Sequence, residues 1–125
     1  MADSYKDLLV WQKAMNLAVS VYRTTAMFPK EEIYGLTSQV RRAAVSIASN
    51  IAEGKGCYSN ADFQHFLIQA HGSVNEVETQ VMLARKLEFL DESTVKVLLG
   101  ECEEVGKMLN GLIGSLRKAA SSSAG

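Results

Sequence analysis

Four stretches of the chain repeat apolar residues at three- and four-residue steps, and only a few residues separate one stretch from the next. That spacing keeps one face of an α-helix apolar for its whole length, and it narrows the accessible folds more than any other feature. In the first stretch, about Leu8 to Met27, the stripe reads Trp11, Ala14, Met15, Ala18, Val21 and Tyr22. It stops before Phe28-Pro29, because proline restricts the residue before it and donates no backbone N–H. In the second, about Tyr34 to Ala52, Leu36, Val40, Ala43, Ala44, Ile47 and Ile51 fall within an arc of roughly 100°. Glu53-Gly54-Lys55-Gly56 ends it, with Gly54 or Gly56 expected to take the left-handed conformation of a helix stop.

The third stretch opens on Ser59 with Asp62 three residues on, a short form of the capping box. Phe63, Leu67, Ala70, Val74, Val77 and Val81 then line one stripe as far as Leu87. The fourth, capped by Asp91 or Ser93, carries Val95, Leu98, Leu99, Cys102, Val105, Leu109, Leu112, Ile113 and Leu116. Its Glu92–Lys96 and Glu103–Lys107 pairs have the favourable order for i,i+4 ion pairs. No period-two alternation and no Asn-Gly or Asp-Gly hairpin interrupts the series. Long amphipathic helices joined by short loops pack antiparallel with their neighbours. The expected fold is therefore all-α, an antiparallel up-down-up-down four-helix bundle. It forms one domain over residues 1–118, followed by a disordered tail at 119–125.

Composition fits that reading. Of 125 residues, 47% are hydrophobic and 22% charged, the balance of a globular protein. The net charge of −1 excludes a polycation that coats nucleic acid by charge alone. Cys57 and Cys102 stand far apart with no further cysteine, which is no disulfide framework. The short apolar run at Leu8–Trp11 is flanked by Asp7 and Lys13, so neither a signal peptide nor a membrane span is expected, and the chain reads as cytoplasmic.

A search for chemistry finds little. A di-iron bundle needs Glu-x-x-His on two helices; the nearest pattern is Asp62-x-x-His65, present once, and His71 shares no face with His65. Cys57 precedes a helix N-terminus but has no identifiable base, and Cys102 falls on a core stripe. Glu53-Gly54-Lys55-Gly56 lacks the spacing and the preceding strand of a phosphate loop. No catalytic residue, cofactor or metal is expected. The glycines stand out more. Gly72 lies mid-helix in the third stretch, and Gly100, Gly111 and Gly114 lie within about 60° of one another on the fourth. Each costs roughly 1 kcal/mol relative to alanine, for which close packing inside the bundle and a seam between subunits are the two explanations. The basic residues form small groups: Arg41, Arg42 and Lys55 in the first half, then Arg85-Lys86 and Arg117-Lys118. They are ordinary solvated charges in a monomer, or a phosphate-binding surface where symmetry repeats them.

From Arg41 onward the sequence becomes distinctive. RRAAVSIASNIAEGKG (Arg41–Gly56) followed by NADFQHFLIQAHGSVNEVETQVMLARKLEFL (Asn60–Leu90) resembles the four-helix bundle proteins encoded by intervening sequences within bacterial 23S rRNA genes. DLLVWQKAMNLAVSVY (Asp7–Tyr22) and KMLNGLIGSL (Lys107–Leu116) look like that family's first and last segments. The family is in turn similar to the accessory variability proteins of diversity-generating retroelements, which are homopentamers that bind reverse transcriptase and nucleic acid. The resemblance implies a non-enzymatic homo-oligomer, a pentamer, acting as a binding or scaffold protein with a protein partner. The alternative it implies is an accessory protein that binds RNA or DNA through Arg41, Arg42, Lys55, Arg85, Lys86, Arg117 and Lys118. Positions matching the family pattern are Arg42, Asn50, Glu53, Gly54, Gly72, Ser73, Glu76 and Glu78. Of these, Arg42, Glu53, Gly72 and Glu76 fall away from the apolar stripes and are the expected subunit interface, with ordinary exposed charges as the alternative. Asn50 and Glu78 fall near the stripes and need partners, Arg41 being the candidate for Glu78. Two departures count against nucleic acid: Cys57 stands where relatives carry a basic residue, and the retroelement proteins are more basic.

Overall fold

In a computed structural model, residues 4–124 are described, with side chains to Ala120. The four expected helices are present: α1 (Leu9–Thr25), α2 (Leu36–Lys55), α3 (Asn60–Lys86) and α4 (Glu92–Ala124). Short 3-10 turns at Tyr5–Asp7 and Lys30–Glu32 precede α1 and α2. Each helix packs on its sequence neighbours, and α1 closes the bundle against α4. The described residues contain no strand. The fold is an all-α four-helix bundle. Its centre is aliphatic, with Leu17, Val21, Ile47, Ile51, Leu67, Val74, Val77, Val105 and Leu109 fully enclosed and Cys102 among them.

Side-chain caps mark where α3 and α4 begin. Ser59 Oγ accepts the Asp62 N–H at 3.1 Å. Asp91, rather than Ser93, caps α4, its carboxylate accepting the Thr94 N–H at 2.8 Å and the Ser93 hydroxyl at 3.1 Å. These bonds favour the ionised carboxylate and hold the Asp91 pKa below its usual value. The Glu103–Lys107 pair forms at 3.1 Å.

The ends of the helices depart from expectation. No described glycine has a positive φ, and Gly56 closes α2 at φ −78°. Gly54 is a helical packing glycine: a Cβ there would lie 2.9 Å from both Phe63 Cδ1 and Phe66 Cβ. The residue that turns left-handed is Glu88, at φ 66°. Around it Phe89 N–H reaches Ala84 O at 2.9 Å and Glu88 N–H reaches Arg85 O at 3.0 Å, the two bonds of a Schellman stop.

Three further expectations change. The buried face of α1 is Val10, Ala14, Leu17, Val21 and Thr25, while Met15 and Tyr22 are exposed. The helix is apolar over so much of its circumference that the sequence stripe was centred on its edge. Gly72, Gly100, Gly111 and Gly114 have open space where a Cβ would go, so packing inside the bundle does not explain them. Finally, α4 continues through the segment expected to be a tail as far as Ala124; extending an established helix costs far less than starting one. Gly125 lies outside the described residues.

Candidate functional site

The face between α2 and α3 gathers the residues that the sequence marks as an interface. A single hydrogen bond ties the two helices across its floor, with Ser46 Oγ and Ser73 Oγ 3.0 Å apart. Asn50 Nδ2 donates to the Ser46 carbonyl at 2.9 Å and to its Oγ at 3.0 Å. Asn50 is thereby satisfied within its own helix. Above this floor opens a groove of about 460 Å³ lined by Gln39, Arg42, Ala43, Ser46, Ser73, Glu76 and Gln80. Arg42 and Glu76 are both exposed and neither belongs to an ion pair among the described residues. Gln80 Oε1 is buried with no hydrogen-bond partner. Gly72 sits one turn before Glu76, exposed, and Glu53 lies on the Arg42 side of α2 three turns further on. The structure thus places Arg42, Glu53, Gly72 and Glu76 along one face and brings Arg42 and Glu76 to one groove.

The basic residues are not brought together. Antiparallel helices put Arg41, Arg42, Arg85 and Lys86 towards one end of the bundle and Lys55, Arg117 and Lys118 towards the other, with Arg42 and Lys55 roughly 20 Å apart along α2. Two are already engaged. Arg41 Nε donates to Thr25 Oγ1 at 2.8 Å and its guanidinium stacks 4.6 Å from the Tyr22 ring centre, so it is not the partner of Glu78. Arg85 donates to the Leu90 carbonyl at 3.3 Å and braces the turn into α4. On the far side of the bundle, Lys13–Glu104 at 2.9 Å and Ser20–Glu101 at 3.1 Å join α1 to α4.

Chemistry of other kinds has little to work with. Burial, and then the Glu78 and Glu101 carboxylates, push the Cys102 thiol up to about 12, so it stays protonated and unreactive near neutrality. His65 is exposed and hydrogen-bonded to Gln69 at 3.0 Å. Among the described residues no three His, Cys, Asp or Glu side chains gather as a metal site, and no helix is long and apolar enough to cross a membrane.

A second surface was not legible as a site. Between α1 and α2 runs an apolar groove of about 320 Å³ lined by Tyr5, Trp11, Met15, Ala18, Val45, Ala48, Ser49 and Ala52. The signal for it is the excess width of the apolar arc on α1, where Met15 and Ala18 flank the buried stripe.

The profile of the 23S rRNA-intervening sequence proteins matches residues 6–111, which span all of α1 to α3 and most of α4. The chain belongs to that family. Among solved structures it is similar to a protein of unknown function from the S23 ribosomal protein family of Bacteroides thetaiotaomicron. The two are 25% identical, the match covers 84% of this chain and 98% of the other, and the TM-score is 0.76. No curated protein matches the chain.

Proposed function

We propose that this member of the family is a non-enzymatic, cytoplasmic scaffold that works as a homo-oligomer, its subunits meeting along the face built by α2 and α3 and presenting a surface to a protein partner. The observation that carries this reading is the pair Arg42 and Glu76. Opposite charges line one groove, and neither is paired among the described residues. Isolated charges of this kind gain most when a partner surface supplies the counter-charge and excludes water. The resemblance to the accessory variability proteins supports a pentamer. Mass by light scattering tests it: the wild-type chain is expected at a multiple of its 13.6 kDa, and Arg42→Glu at a lower mass. An unchanged mass for Arg42→Glu removes Arg42 from the interface, and a monomeric wild type removes the oligomer.

One observation favours a second reading, an RNA- or DNA-binding accessory protein. Helices α1 and α2 carry Lys13, Arg23, Arg41, Arg42 and Lys55 against the single acid Glu53. Titration against structured RNA and duplex DNA at two salt concentrations decides it, because phosphate contacts release counterions and weaken steeply with salt. Absence of binding at low salt, where such contacts are strongest, excludes this reading.

A further inference from the structure

Two largely apolar surfaces of the bundle lie open to solvent. One is the α1–α2 groove, lined in part by Met15 (41% exposed) and Val45 (43%). The other is the outward corner of α3, where Ile68 (47% exposed), Gly72, Thr79 and Leu83 (45%) fall within an arc of about 60°. Glu76 stands at the edge of this corner nearest α2. We infer that these two surfaces cover each other, the α3 ridge of one copy seating in the α1–α2 groove of the next. This assignment rests on the homo-oligomeric reading above and moves the contact from the α2–α3 groove itself to the surfaces on either side of it, with Glu76 at its edge.

Three observations point to a second copy as the occupant. The first is height. A rotation about an axis parallel to the bundle leaves every residue at its own level. The Ser46–Ser73 hydrogen bond sets Gly72 level with Val45 and Ala48, which line the groove together with Met15 and Ala18. The glycine, with nothing within 4 Å of a notional Cβ, is the low point of the ridge and lets another helix approach the groove closely. The second is charge. Glu76 lies three residues beyond Ser73, and Arg41 and Arg42 lie five and four residues before Ser46 on an antiparallel helix. The acid and the two cations are therefore level within a few ångströms, at about 1.5 Å per residue. An acid at the edge of the ridge meets the cation-rich helices of its neighbour. The third is direction. The groove opens between α1 and α2, and the ridge lies at the α3 corner, so the two contacts point roughly 90–135° apart around the bundle. A head-to-tail contact at that angle closes a ring at about four to eight copies.

Glutamate at Val45 or at Ile68 buries a charge in the contact without touching the core, since both side chains are exposed in the subunit. Each of Val45→Glu and Ile68→Glu is expected to keep the helical circular dichroism of the wild type and to fall to the 13.6 kDa subunit mass. Cross-linking then tests direction in the Cys57→Ser background. Val45→Cys and Gly72→Cys, coexpressed and oxidised, are expected to form a disulfide dimer between the two variants, and neither to dimerise when expressed alone. A wild-type mass retained by both glutamate variants overturns the assignment while leaving the homo-oligomer standing. Homodimers of either cysteine variant alone overturn the head-to-tail direction. A monomeric wild type removes the homo-oligomer and this assignment with it.

Discussion

Glu88 is the one described non-glycine residue in left-handed backbone, and it occupies the position of a Schellman stop that glycine usually fills. A Cβ there costs roughly 1–2 kcal/mol. Glu88→Gly is therefore expected to raise stability by about 1 kcal/mol, read as a higher urea midpoint at unchanged slope. Cys102 gives a second test at this scale. Its thiol titrates at about 12 in the folded chain against an ordinary 9.0, so the folded state holds this proton more tightly than the unfolded state does. The stabilisation is complete below pH 9 and is lost as pH climbs towards 12, by at most about 1.4 kcal/mol per unit. Urea midpoints at about pH 8 and about pH 10 should fall further apart for the wild type than for Cys102→Ala. Asp91 has the opposite sign: its pKa is lowered, so the cap stabilises above the ordinary carboxylate range and is lost as acid protonates it. Asp91→Ala should be less stable than the wild type at neutral pH, and the difference should vanish in acid.

Helices α2 and α3 share the most extensive contact in the bundle, and Gly54 lets the end of α2 lie close against Phe63 and Phe66. The Cβ of Gly54→Ala would press on the Phe66 Cβ and within 3.3 Å of the Phe63 carbonyl, neither of which is the far end of a flexible side chain. Overpacking of that kind costs typically 1–3 kcal/mol, against roughly 1 kcal/mol gained in helix propensity. A net loss is expected for Gly54→Ala and a gain for Gly100→Ala, which meets nothing, provided both are measured on a monomeric variant. This contrast marks how far the sequence could be read. Periodicity placed all four helices, because a stripe of Ile47, Val74 or Leu109 has no other way to leave water. Ser59 and Asp62 marked the start of α3 for an equally local reason. The role of Gly54 was not legible, since a glycine near a helix end reads as a stop until the partner helix is known. Nor was the engagement of Arg41 with Thr25 and Tyr22, which depends on how α1 and α2 are set side by side. Of the candidate site, the side of the helix on which Arg42 and Glu76 lie followed from the wheel; that one groove holds both required the fold.

At the scale of the whole molecule, the bundle separates two surface types that a monomer does not need. Its ends hold the cations in two distant groups, and its sides expose Met15, Val45, Ile68 and Leu83. A small domain that leaves several large apolar side chains in water along two lines gives up burial that a second copy can recover. If association recovers it, stability depends on concentration, because anything that binds only the folded chain shifts unfolding by mass action. The midpoint of thermal unfolding is therefore expected to rise with protein concentration for the wild type and to stay constant for Val45→Glu. Scanning calorimetry over a hundredfold concentration range makes the comparison, and a wild-type midpoint independent of concentration would count against assembly. The same pair of proteins bears on nucleic acid. One subunit offers Arg41, Arg42, Arg85 and Lys86 at one end and Lys55, Arg117 and Lys118 at the other, too few at either end for tight phosphate binding. A ring repeats each group around a rim. RNA binding that weakens steeply with salt in the wild type and is lost in Val45→Glu, which keeps every cation, would place the nucleic acid on the rim of the assembly. Binding of equal strength by the monomeric variant would place it on the subunit itself.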